Sequence, residues 1–276
     1  MDEKVSELLD LTKKLLDLSK DIFGESLTPH ESLERMNALY SVFLRVQMQE
    51  ALRFGYGAYY SCYHGWGHGG IGAARSIYEI LLDIKYINHD QACKDERFER
   101  FMDHRAEVRY RVMERALQIG RNVPQEKQRR IKNDYDLLKK KYKDKHDQDL
   151  KSGLAKADAT PRYRSNNWAG IDTGEKVKEV NLEQFHQLYK NLSDLSHVSM
   201  RAVLEATRKD SENQIGASFN FHPNEKHCFS VLNVVFPCIY GILGEYMTYF
   251  GIKSSCYPTL EKILEDRGSL KNKPKG

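Results

Sequence analysis

The sequence predicts an all-α protein: a multi-helix bundle from which one basic helical hairpin projects. Two observations carry this. Apolar residues recur at steps of three and four in most segments, and no convincing strand ladder of alternating residues is readable. Composition agrees, since 40% hydrophobic and 11% aromatic residues supply a core, while 18 Gly and 7 Pro are too few for a disordered or collagen-like chain.

Leu8, Leu11, Leu15, Leu18 and Ile22 form the narrow apolar seam of a first helix that ends near Phe23-Gly24. Such a seam can dock on the chain's own bundle or on a second copy, so a homodimer is one expectation. Thr28-Pro29-His30-Glu31 reads as a capping box with Pro at the first helical position. It opens a helix through Leu33, Met36, Tyr40 and Phe43, which should falter at Gly55 and Gly57. The passage Gly65-Trp66-Gly67-His68-Gly69-Gly70-Ile71-Gly72 then leads into an apolar helical segment, Ile77 to Ile87.

A further helix spans about Glu96 to Gln118, and Gly120-Arg121-Asn122-Val123-Pro124 marks a turn. Pro124 starts a basic helix, so residues 96–150 read as a helical hairpin. No periodicity is visible from Ser152 to Asp172. Asn181 with Gln184 is expected to cap a helix reaching about Arg208, a helix over 228–250 follows, and Pro258 opens a short last one before a Lys-rich tail. The expected organisation is an amphipathic helix over 1–27, one bundle domain over 28–268 with its arm at 96–151, and a basic tail over 269–276.

Net charge is +4, and Arg121 to Lys151 holds 11 Lys/Arg against 6 Asp/Glu, so the positive excess sits in one segment. Within it Ile131, Tyr135, Leu138 and Tyr142 form an apolar stripe. The segment is either a solvated arm or a surface on which Arg129, Arg130, Lys132, Lys139, Lys140 and Lys141 neutralise nucleic-acid phosphates, RNA being one such ligand. Five cysteines, odd in number and without a CxxC pair, argue against a disulfide framework or zinc finger and for a reducing cytoplasm. The N-terminal residues do not resemble a secretion signal. Phe229–Leu243 is shorter than the roughly 20 residues of a membrane span and contains Asn233 and Pro237, so it reads as a buried, Pro-kinked helix and no membrane partner is expected.

Arg75, Glu79 and Asp83 fall on one polar stripe of the otherwise apolar helix that includes Ile77, Tyr78, Leu81 and Ile84. Buried charge needs partners. The helix from Asn181 offers them, since His186, Tyr189, Ser193 and His197 share a face flanked by Leu182, Met200 and Leu204. The two stripes should meet, either as a network that fixes helix register or as a small site. In that site His197 is acid or base, Arg75 stabilises an anion such as phosphate, Glu79 and Tyr189 orient them, and Trp168, Ser193, His186 and Asp83 line the ligand. Gly67-His-Gly69-Gly-Ile-Gly72 satisfies the dinucleotide pattern literally but lacks a βαβ context, and close helix packing is the reading preferred. His64 with His68, and His222 with His227-Cys228, are weighed as metal ligands, but neither a metal nor a cofactor is expected.

Arg75-Ser-Ile-Tyr-Glu79 with Leu82, Lys85-Tyr86-Ile87, Trp168-Ala-Gly170 and Tyr189-Lys-Asn-Leu192-Ser193-Asp-Leu-Ser-His197 resemble the bacterial domain-of-unknown-function family 5677 over about residues 35–205. The resemblance implies a helical bundle akin to the HEPN superfamily, whose members include ribonucleases of toxin and phage-defence systems. It thereby implies a metal-independent RNA-cleaving effector, with a neutralising partner protein. The alternative is a non-catalytic module that binds nucleic acid or a protein. HEPN ribonucleases carry Arg, a polar residue and His on one helix. The only comparable spacing here, Arg97 to His104, has Phe98 after the Arg, so a catalytic pair would more readily be Arg75 with His197.

Overall fold

The structure, a computed structural model, describes residues 2–25, 35–152, 169, 171–196, 207–209, 215–217, 225–252 and 257–272. Among these lie nine helices: α1 Glu3–Glu25, α2 Arg35–Tyr63, α3 Gly67–Asn88, α4 Lys94–Gln118, α5 Gln125–Lys151, α6 Thr173–Glu179, α7 Glu183–Ser196, α8 Glu225–Phe250 and α9 Tyr257–Asn272. The fold is all-α. One short antiparallel ribbon, β1 Thr207–Lys209 with β2 Ile215–Ala217, pairs Arg208 with Gly216. The helix expected to reach Arg208 therefore stops earlier, because that stretch pairs as strand. The capping box at Thr28 lies outside the described residues.

Contacts group the chain into two compact units: Met1–Lys85 with Val180–Gly276, and Tyr86–Glu179. In the first, α8 packs on α1, α2 and α7, and α1 also meets α2 and α9. The α1 seam is buried within the chain itself, with Leu8, Leu15 and Leu16 fully enclosed, so a second copy would have to use another surface. Helix α2 does not falter at its glycines. A methyl at Gly55 would lie 2.5 Å from Leu16 Cδ2, so the missing side chain admits α1 and Ile239, and that packing outweighs glycine's poor helix propensity.

The Gly-rich passage is likewise helical from Gly67 onward, and of its glycines only Gly65, at φ 76°, has the left-handed backbone of a turn. Gly67 and Gly70 bring α3 against α8: methyls there would approach Cys228 N at 2.5 Å and Val231 Cγ1 at 3.0 Å. Helix α8 extends well past Leu243 through the buried Tyr246 and Met247. It thus ends at the Phe250 expected from the sequence and begins three residues before the expected 228. Over His227–Phe250 it is, among the described residues, the one helix long and apolar enough to cross a membrane, and most of it is buried inside the fold.

In the second unit, α4 and α5 form the expected hairpin, turning at Gly120 with φ 71°. Tyr110 stacks on Tyr135 with centroids 4.1 Å apart, and Lys141 reaches Glu99 at 2.8 Å and Asp103 at 2.6 Å. Tyr142 donates to the same Asp103 at 3.0 Å. Asp172 caps α6: it accepts from Glu175 N at 2.8 Å while its own N–H donates to Glu175 Oε2 at 3.1 Å. Arg97 donates to Tyr86 O at 2.6 Å, pairs with Glu179 and lies over the Tyr86 ring, while His104 Nδ1 is 3.3 Å from Glu107. The Arg97–His104 spacing thus serves internal clamps, with the two side chains facing different partners.

Candidate functional site

Helix α3 buries Ile77, Tyr78, Leu81 and Ile84, which leaves its polar stripe at the rim of the core. Arg75 and Asp83 are half-buried and Glu79 is exposed, so the stripe is less enclosed than its apolar neighbours suggested. Helix α7 is anchored by the buried Leu192, with Leu182 buried just before its start, and turns His186 and Tyr189 toward α3. The expected meeting occurs. Tyr189 OH donates to Glu79 Oε1 at 2.9 Å, and the Arg75 guanidinium carbon lies 5.6 Å from the Tyr189 ring centroid.

Tyr78 stacks on Tyr189 at 4.6 Å, and its hydroxyl is 3.2 Å from His186 Nδ1. Burial pushes the Tyr78 phenol well above its usual range, so it remains protonated. Burial, aided by the Lys190 charge, holds His186 below the usual histidine value. A neutral imidazole can accept from a protonated phenol at Nδ1, its own proton then lying on Nε2. The Tyr189 phenol is also raised, mainly by burial, with Arg75 opposing and Glu79 adding to the shift. A guanidinium, a carboxylate, two phenols and a neutral imidazole therefore share one half-open cluster, whose cation can hold an anion and whose imidazole can take a proton.

The structure brings together Arg75, Glu79, Tyr189 and His186, and places Asp83 on the same α3 stripe. His197, Trp168 and the Ser193 side chain lie outside the described residues. Tyr78 is the member that sequence reasoning assigned to the core alone. Its signal was chemical, since a buried phenol between Arg75 and Glu79 needs a hydrogen-bond partner.

Because the folded pKa of His186 is depressed, the unfolded chain binds the extra proton. Stability contributed by this group is present above the ordinary histidine value and is lost as pH falls below it. Urea unfolding at pH about 7.5 and about 5.5 should show a larger loss for wild type than for His186→Asn. Equal losses would mean that His186 is not held neutral by this cluster.

On α5, Arg129, Arg130, Lys132, Lys139 and Lys140 are exposed, whereas Lys141 is tied to α4 and is not an open contact. The rings of His68 and His227 lie 4.1 Å apart, but no group of three or more His, Cys, Asp or Glu that could hold a metal occurs among the described residues. Cys62, Cys93, Cys228 and Cys238 are free thiols.

Fold and cluster together define an all-helical protein with a rim-exposed polar cluster and a basic hairpin. The chain belongs to the family of unknown function DUF5677, whose model matches residues 46–215. No curated protein and no solved structure matches the chain.

Proposed function

We propose that the protein binds nucleic acid through α5, gripping the phosphate backbone without reading sequence. One observation carries this: Arg129, Lys132, Lys139, Lys140 and Lys143 are exposed and fall within about 100° of arc, centred about 120° round the helix from the seam of Ile131, Tyr135, Leu138 and Tyr142. They extend over about 21 Å of helix, the length of several phosphate spacings. None of the five enters an ion pair among the described residues. Fluorescence anisotropy with labelled single-stranded RNA, duplex RNA and duplex DNA tests the proposal. Binding that weakens steeply with salt supports it, and no binding to any of the three at low salt overturns it.

Metal-independent RNA cleavage, as in HEPN effectors of defence and toxin systems, is a second function, favoured by the α3–α7 cluster. There Arg75 would stabilise the phosphate charge, while neutral His186 or the expected His197 would take the proton of the ribose 2′-hydroxyl as its oxygen bonds to phosphorus and the P–O5′ bond breaks, and the protonated imidazole would return that proton to the departing 5′-oxygen, Glu79 and Tyr189 holding Arg75 in place. RNA cleavage in EDTA by wild type, lost in folded Arg75→Ala and His186→Asn or His197→Ala variants, is the expected result. Both functions suit a cytoplasmic protein without a cofactor.

A further inference from the structure

Helices α7, α8 and α9 enclose a groove of about 660 Å³. Leu188, Phe229 and Tyr240 line it and keep more than a third of their surface exposed, a concentration of half-open apolar side chains within one concavity. Arg267 also lines it, only 8% exposed. Its Nη2 donates to Asn233 Oδ1, and its guanidinium carbon lies 5.5 Å from the Phe236 ring centroid. Asn233 is oriented for this, since its Nδ2 donates to Phe229 O at 2.9 Å and leaves Oδ1 for the arginine.

No Asp or Glu lines the groove, and Arg267 forms no ion pair among the described residues. Burial alone draws its basicity down. A guanidinium has five N–H donors, of which one amide oxygen and one ring face satisfy a minority. A buried cation without a counter-charge is costly, and a fork of donors at the edge of an apolar groove is the shape that a carboxylate completes.

We infer that this groove binds a small organic carboxylate, its aromatic or aliphatic body on Leu188, Phe229 and Tyr240 and its carboxylate on Arg267. A monoanion with an apolar body fits better than a phosphate dianion, whose stronger hydration the apolar walls could not replace.

The test is calorimetric titration of the full chain with 4-phenylbutyrate and decanoate, each against its neutral amide. The acids bind at least about tenfold tighter than the amides, a difference of about 1.4 kcal/mol. In Arg267→Met that preference disappears, while melting by circular dichroism is unchanged or higher, because a poorly compensated buried charge has been removed. Leu188→Glu, at an exposed position, removes an apolar contact from acids and amides alike and sets a negative charge in the groove, so it weakens the acids more than the amides and abolishes the acid preference; it reports even if Arg267→Met fails to fold. Acids and amides that bind wild type alike, no acid binding at millimolar concentration, or an acid preference that survives either substitution would each overturn the inference.

Discussion

Replacing Arg129, Lys132, Lys139, Lys140 and Lys143 together by Gln lowers affinity for a labelled single-stranded RNA by about 100-fold at low salt. Each cation that neutralises a phosphate releases condensed counterions, contributing about 0.7 to the slope of log affinity against log salt on a single strand. Five such contacts make wild-type binding fall about 100-fold between about 50 and 200 mM salt, whereas the variant is nearly insensitive to salt. The substitutions leave Ile131, Tyr135, Leu138 and Tyr142 untouched, so the hairpin folds as before. Lys141→Gln is the matched control. It removes exposed ion pairs with Glu99 and Asp103, worth at most about 1 kcal/mol, and leaves binding unchanged. Equal binding by wild type and the five-fold variant would place any nucleic-acid contact elsewhere.

Gly67→Ala destabilises the protein by about 3 kcal/mol, whereas Gly72→Ala, five residues on in the same helix, stabilises it by about 0.5 kcal/mol. Both glycines are helical, so propensity alone would give both substitutions the same sign. At Gly67 the new methyl carbon would sit 2.5 Å from Cys228 N and 2.6 Å from His227 C, backbone atoms that move only if α8 moves. At Gly72 nothing lies within 4 Å. Thermal melting of the two variants reads the difference directly. A Gly67→Ala protein as stable as wild type would mean that α3 and α8 are not in the close contact described.

The candidate cluster was legible in large part. Arg75, Glu79 and Asp83 at four-residue steps, and His186 and Tyr189 three apart, define faces that any regular helix must present, and two apolar helices with polar stripes satisfy those stripes on one another. The short α6 went unread in the sequence: Asp172 and Glu175 are a capping pair, but seven residues are too few for periodicity to show. Arg267 was illegible as a site. Nothing near it in sequence says that a residue on the last helix would lie against Asn233 and Phe236 of α8.

The sequence by itself determined the helical class, the hairpin with its basic helix and the complementary stripes of α3 and α7. Periodicity and capping are local properties, set by 3.6 residues per turn and by side chains a few positions apart. Only the tertiary structure decided that α2 and α3 run through their glycines, that Lys141 faces acids while its neighbours face solvent, and that the α1 seam is buried in the chain's own bundle. It also decided that Arg267 ends in an apolar groove to which no described residue brings a carboxylate. Each of these depends on which distant residue fills or vacates the space beside a side chain, and close packing, charge pairing and desolvation act across that space regardless of separation along the chain.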